Sequence, residues 1–300
     1  MNTAKRGGII LQSFGIEDLI NTKSIATYIF ERQNEDGGYT FARGAESNAQ
    51  DTYYAIKILR MLDTKPTNMD KTIRFLQGLQ HQDGSFDSIK GAYYVITTLS
   101  FLGAKPIKPL EETALSLEIL IEGLENPQIY IEALSEIEDI YLAVKLLDSI
   151  NFPLNSERVT KQILKIQNDD GSFGSRRFSR LASTYYALAI LKLIGYDVKA
   201  LPNTLKWIRQ CEIQSGGFTD GSEISSPYIV MEDIYFGVKS LEALDETCRF
   251  PKATLELIAK FQNPNGGFRR SIFLGISDFE STYQALSSIK TILVSLQKKL

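Results

Sequence analysis

The sequence predicts an all-α fold: a closed α/α toroid of six helical hairpins, with inner and outer layers of six helices. Three observations carry this expectation. A glutamine-led glycine turn recurs at intervals of roughly 44 to 50 residues, an apolar run follows each turn, and a proline separates each run from the next unit. The turn is Gln33-Asn34-Glu35-Asp36-Gly37-Gly38-Tyr39 in its first copy. It returns at Gln80 to Phe86, Gln167 to Phe173, Gln214 to Phe218 and Gln262 to Phe268.

Composition sets the outer bounds. With 300 residues and 43% hydrophobic content the chain can bury a large core. A net charge of −3, from 33 basic and 36 acidic residues, offers no basic footprint for nucleic acid or an anionic membrane. Two isolated cysteines, Cys211 and Cys248, fit a reducing compartment. No apolar stretch approaches the ~20 residues that span a bilayer. The expectation is a cytoplasmic protein with no membrane span, in which residues 1–12 form a tail and 13–300 a single barrel domain.

Within the first unit, Ile16, Leu19, Ile20, Ala26, Ile29 and Phe30 are spaced for a helix with one buried stripe, over Ile16 to Arg32. The glycine turn stops it, because glycine admits the positive φ that ends helices. Asp51-Thr52 then looks like a cap, and the run to Leu62 is apolar on more than one face, so this second helix lies deeper. Ser183-Thr184-Tyr185-Tyr186-Ala187 and Ser281-Thr282-Tyr283 repeat that start. Pro66, Pro106, Pro153, Pro202 and Pro251 each precede the next outer helix. Between Phe86 and Phe173 one turn has lost its glycines; Asn126 to Tyr130 fills its place as a degenerate third repeat. Doubly buried inner helices are satisfied by closure into a ring. An open solenoid would need polar capping repeats, and the last inner run, Ser281 to about Val294, is as apolar as the others.

Glutamine, a polar link, Gly-Gly-Phe or Gly-Ser-Phe, then a Thr-Tyr inner helix resembles the repeat of protein prenyltransferase β subunits and of squalene and other class II terpene cyclases. The resemblance spans about Phe14 to Val294 and is specific for the fold more than for the reaction. Six units without an inserted domain look more like a prenyltransferase β subunit, which implies a helical α-type partner. It also implies a zinc held by Asp-x-Cys-Tyr in the fifth unit and His-Thr in the sixth. Here Glu232, Ile234 and Ser281 stand at the ligand positions. Isoleucine cannot ligate zinc, so no zinc is expected, though a divalent metal could accompany a diphosphate. His81 lies in the second turn, away from these positions.

The cyclases imply an Asp-x-Asp-Asp acid. Asn48-Ala49-Gln50-Asp51 keeps only its last residue, and Glu136-Ile137-Glu138-Asp139 keeps its charge pattern. Glu138 and Asp139 are therefore candidate catalytic acids, against the reading that Asp139 merely caps a helix. Glu232 and Asp233, with Glu280, add rim acidity. Arg43, Arg176, Arg177, Arg180, Arg269 and Arg270 follow glycine turns beside helix starts, a natural place for diphosphate, although exposed arginines are commonly just solvated. Of each adjacent aromatic pair one member should face the axis, giving Tyr53, Tyr94, Tyr141, Tyr185, Tyr235 and Tyr283 as cavity lining.

The leading expectation is a prenyltransferase-like protein that binds an isoprenoid, through its diphosphate, in a central aromatic cavity, with transfer not depending on the classical zinc site. A class II cyclase using a rim carboxylate, and a non-catalytic lipid-binding or interaction scaffold, are its rivals.

Overall fold

The computed structural model describes residues 15–123, 134–175, 177–220, 229–273 and 275–298. Twelve α-helices alternate between two layers: α1 (Thr22–Phe30), α2 (Ala49–Met61), α3 (Met69–Gln77), α4 (Ile89–Phe101), α5 (Glu111–Gly123), α6 (Leu134–Ser149), α7 (Ser156–Lys165), α8 (Arg180–Leu193), α9 (Pro202–Cys211), α10 (Met231–Ala243), α11 (Pro251–Ala259) and α12 (Phe279–Gln297). Each even-numbered helix packs on the even-numbered helices either side of it, and α12 packs on α2, so the inner layer closes. Burial separates the layers as the apolar patterns require: α8 buries nine of its 14 residues and α7 two of ten.

The recurring turn keys each unit into the next. Gly37 has φ of 90°, and a Cβ there would stand 2.4 Å from the backbone of Lys71, at the start of α3. The same approach recurs around the ring until Gly266, whose added Cβ would lie 2.2 Å from the Ser24 carbonyl of α1. The sixth turn thus docks on the first helix. The leading glutamines tie the same seams: the Lys108 amide donates to Gln80 at 2.8 Å, and the Asn21 amide to Gln262 at 3.0 Å. In the fifth unit this position belongs to Glu212, which pairs across the turn with Phe218 and receives the Arg249 amide at 2.6 Å. Gln214, taken as the marker from sequence, sits two residues inside that turn.

The threonine of each Thr-Tyr start has a different task from the capping expected of it. Thr52, Thr184 and Thr282 accept the amides of Tyr39, Phe173 and Phe268 at 2.9–3.0 Å, fastening inner helix to turn. The caps lie earlier, at Asn48, Ser88, Ser179 and Asp278, so these inner helices begin before the sequence signal suggested. The first outer run is also broken: Ile16–Asp18 is a short 3₁₀ turn, and Asn21 caps α1 anew. Phe268–Arg269 pairs with Ser277–Asp278 as a two-residue antiparallel ladder within the sixth unit. The degenerate turn at Asn126 to Tyr130 lies outside the described residues. No described helix is long and apolar enough to cross a membrane.

Candidate functional site

The inner helices surround a lumen of about 230 Å³. All six predicted lining residues, Tyr53, Tyr94, Tyr141, Tyr185, Tyr235 and Tyr283, border it. Their neighbours Tyr54, Tyr93, Tyr186 and Phe236 do so too, which corrects the expectation that each pair splits between axis and interface. Successive helical residues are about 100° apart, so two of them straddle the inward direction and a long phenol reaches the axis from either side. Ring centroids 5.4–5.9 Å apart link Tyr54 to Tyr283, Tyr283 to Tyr235, Tyr235 to Tyr185, and Tyr185 to Tyr141.

The belt has a threefold pattern. Tyr53, Tyr141 and Tyr235, on alternate helices α2, α6 and α10, are each followed one turn later by a lysine: Lys57, Lys145 and Lys239. All three lysines border the lumen. On α4, α8 and α12 the same place holds Thr97, Ala189 and Ser287. Lys57 donates to the Tyr283 hydroxyl at 3.1 Å and Lys145 to that of Tyr93 at 2.9 Å. Each ammonium also lies over aromatic faces, Lys57 4.5 Å from the Tyr283 centroid and Lys145 5.2 Å from that of Tyr141. Burial alone would raise the Tyr283 phenol; Lys57, the Tyr235 hydroxyl and Lys239 together outweigh it and bring the group down to about 8. Tyr93 is lowered in the same way, with burial opposed by Lys145 and Lys57.

At the other end, where the inner helices begin, the lumen meets Glu138 and Glu280. Glu138 pairs with Lys90 at 2.5 Å. Glu280 has no cation beside it among the described residues; its carboxyl receives Gln50 at 3.3 Å and Gln284 at 3.4 Å. Burial, then repulsion from Glu232, Asp278 and Glu138, pushes it up to about 7. A carboxylic acid is thus held close to neutral against aromatic faces.

The other predicted acids stand off the lumen wall. Helix α6 begins at Leu134, so Asp139 lies in its second turn and is not a cap; burial raises it. Glu232 is bound to Arg270 at 2.8 Å. Asp233 is pushed up to about 7 by burial and by Asp220 and Glu232, with Arg270 opposing.

The arginines do not converge. Arg43 binds Glu31 at 2.6 Å in a groove between the first and sixth turns. Arg180 binds Asp170 at 2.8 Å and lies over the Trp207 ring. Arg269 donates to the Lys260 carbonyl, and Arg177 is exposed with its amide on Ser175. Arg176 lies outside the described residues. None of the described five borders the lumen.

The classical zinc set does not fit. Ile234 is fully buried, Ser281 spends its hydroxyl on Asp278 at 2.9 Å, and Glu232 is taken by Arg270. Among the described residues no three His, Cys, Asp or Glu side chains gather as a metal site. Cys211 and Cys248 are unpaired and buried, and burial pushes both thiols up to about 12. His81 is exposed and meets Asp87 at 2.8 Å.

A closed α/α ring around an aromatic lumen defines the class. The chain matches the sequence profile of the prenyltransferase alpha-alpha toroid domain over residues 9–105, 140–226 and 223–299, and it belongs to that family. Among solved structures it is similar to Candida albicans protein geranylgeranyltransferase-I complexed with GGPP, with a TM-score of 0.66, 16% identity and 91% of each chain covered. It is also similar to the type II terpene cyclase MstE from Scytonema: apo, TM-score 0.59, 12% identity, 93% of this chain and 98% of that one. The MstE R337A variant with geranylgeranyl dihydroxybenzoate gives TM-score 0.60 at 12% identity, with 93% and 97% covered. At such identities the likeness shows the fold. No curated protein matches the sequence.

Proposed function

We propose that the lumen binds a short isoprenoid and that Glu280 protonates its terminal alkene, a cyclisation of the class II type. The observation that supports this most is the pairing of a near-neutral, cation-free carboxyl with an aromatic wall. An acid must keep its proton until the alkene arrives, and burial beside other carboxyls does that for Glu280. The Glu280 proton adds to the alkene and leaves a tertiary carbocation. The π electrons of an internal double bond then close a carbon–carbon bond, and the last cation sheds a proton to water. Glu280 is reprotonated from solvent at its own end of the lumen, so substrate and product are isomers. Tyrosine and phenylalanine faces stabilise the passing cation. The ligands named for the two structural relatives, GGPP and geranylgeranyl dihydroxybenzoate, lend the isoprenoid part of the reading its support. A lumen of about 230 Å³ lies below the roughly 300–1,000 Å³ of common ligand pockets, which favours a short chain.

Prenyl transfer to a zinc-bound thiolate gains nothing from Ile234 and Ser281. Of the arginine set only Arg270, through Glu232 and Asp233, belongs to the acidic mouth, and this reading does not give it a diphosphate. Two unpaired cysteines favour a reducing, cytoplasmic setting. The helical partner implied by the β-subunit resemblance stays within the proposal, and co-purification of an endogenous complex tests it. For the reaction itself, the protein is incubated with geranyl, farnesyl and geranylgeranyl diphosphates and the extracts are analysed by mass spectrometry. Cyclised isomers from the shorter substrates, absent with Glu280→Gln, are expected. Ligand retained without turnover would favour a binding scaffold, and no saturable retention of any of the three would sink the reading.

A further inference from the structure

At the far end the lumen continues into a chamber of about 320 Å³ that opens among the C-terminal ends of α6, α8 and α10. Tyr141, Lys145, Tyr185 and Lys239 border both spaces, and Lys192 and Glu242 border the chamber alone. Lys145 and Lys239 therefore stand at the junction, and Lys57 joins them on the lumen wall. Lys239 is bound to Glu242, and Lys192 is held by Asp245 at 3.2 Å. Lys57 and Lys145 have no carboxylate partner among the described residues; they meet phenols and ring faces instead.

An ammonium drawn out of water without a counter-charge is costly. Ring faces offset part of that cost, and so does the negative end of each inner-helix dipole, which points to this mouth. Two of three symmetry-related lysines nevertheless remain without a full negative charge. Of the two, Lys145 borders the chamber, in which three lysines face one glutamate, and Lys57 lies beyond it on the lumen wall. The geometry points to an anion site at this junction: Lys57, Lys145 and Lys239 take the phosphoryl head of a ligand that enters by the C-terminal mouth. This deepens the reading of the lumen as an isoprenoid site and rests on it for the tail. Along α6, Lys145 lies seven residues beyond Glu138, about 10 Å. A head held by the lysines would send a short prenyl tail through the tyrosine belt to the acid end. The lysine layer lies at the opposite end of the inner helices from the arginine-bearing turns, where the sequence had placed the diphosphate.

Calorimetry with inorganic pyrophosphate on the intact protein tests the site. One saturable site is expected, weakened by roughly tenfold or more in Lys57→Met and in Lys145→Met and unchanged in Arg269→Ala/Arg270→Ala. Melting curves establish that each variant is folded, and pyrophosphate should raise the wild-type midpoint but not those of the lysine variants. An absent pyrophosphate signal, or lysine variants that bind like wild type, overturns the proposal. Two further arms separate the sources. Farnesyl diphosphate binding at least about tenfold tighter than pyrophosphate assigns the head to a prenyl ligand, whereas equal affinities assign the site to free polyphosphate. Farnesol retained by a protein that ignores pyrophosphate would sink the lysine site and leave the isoprenoid reading intact; the reverse result would do the opposite.

Discussion

The two ends of the lumen differ in charge and in construction, although the same six helices form both. At the N-terminal end, glycine turns are pressed into the next outer helix, and the Glu280 carboxyl, with its raised affinity for protons, faces the lumen. At the C-terminal end, proline-punctuated turns are loosely seated. Gly103 and Gly195 there also have positive φ, yet a Cβ on either would meet nothing within 4 Å. Helix dipoles favour acids at the first end and cations at the second, so the polarity follows the direction of the inner helices. Seam-tying sits at the acidic end and space at the basic end, as suits chemistry at one and ligand entry at the other.

The largest expected effect separates the two ends by kinetics. Glu280→Gln should lower turnover by about two to four orders of magnitude with little change in ligand retention. Lys145→Met should act mainly on KM. Comparable kcat losses in both variants, in steady-state assays, would erase the distinction.

The next contrast concerns construction. Gly266→Ala must force a Cβ onto the Ser24 carbonyl and open the seam that closes the ring, a cost of about 3 kcal/mol or more. Gly195→Ala pays only for its left-handed backbone, about 1–2 kcal/mol. Urea denaturation gives both numbers, and equal losses would show that the acidic rim is no more tightly keyed than the basic one.

A smaller effect concerns the lysines. Replacing a cation that lacks a counter-charge with an apolar side chain of similar length is neutral or stabilising, so Lys57→Met should raise the melting midpoint by about 2–4 °C. A drop of that size would make the lysine part of the scaffold.

The smallest effect is in pH. Glu280, with its proton affinity raised in the folded protein, contributes stability that is complete below its ordinary value of 4.5 and is lost as pH rises through about 7. Tyr283 behaves oppositely: its contribution is present above pH 10 and is lost as pH falls through about 8. Urea midpoints should therefore fall between pH 4.5 and 7 and recover between 8 and 10. Glu280→Gln should flatten the first slope and Tyr283→Phe the second.

The fold was legible because its constraint is local and repeated: a glycine that must lie against a helix backbone leaves a mark in every copy that keeps it. The mark misled where another residue did the same work, as at Glu212, where a carboxylate replaces the glutamine clamp. Helix starts were read late because Thr52 and Thr184 look like caps but are tied to turns. The arginine expectation rests on loop position, and loop position does not say which way a side chain turns; Arg180 folds back onto Asp170 and Trp207. The lysines were legible and missed. Tyrosine followed four residues later by lysine, on alternate inner helices only, is a period of two units, visible once the copies are compared in pairs rather than singly. Glu280 reads from sequence as rim acidity, but the lack of a cation beside it among the described residues depends on which neighbours α2 and α12 bring to it.

The polarity of the lumen is tested most directly by pH-difference infrared spectroscopy of the carboxyl C=O stretch. The account predicts a protonated-carboxyl band that persists to about pH 7 and loses one component in Glu280→Gln, while Asp233→Asn removes a separate one. If all carboxyls titrate in the ordinary carboxylate range, or Glu280→Gln leaves the band unchanged, the acid at the N-terminal end is not held neutral and the reading built on it fails.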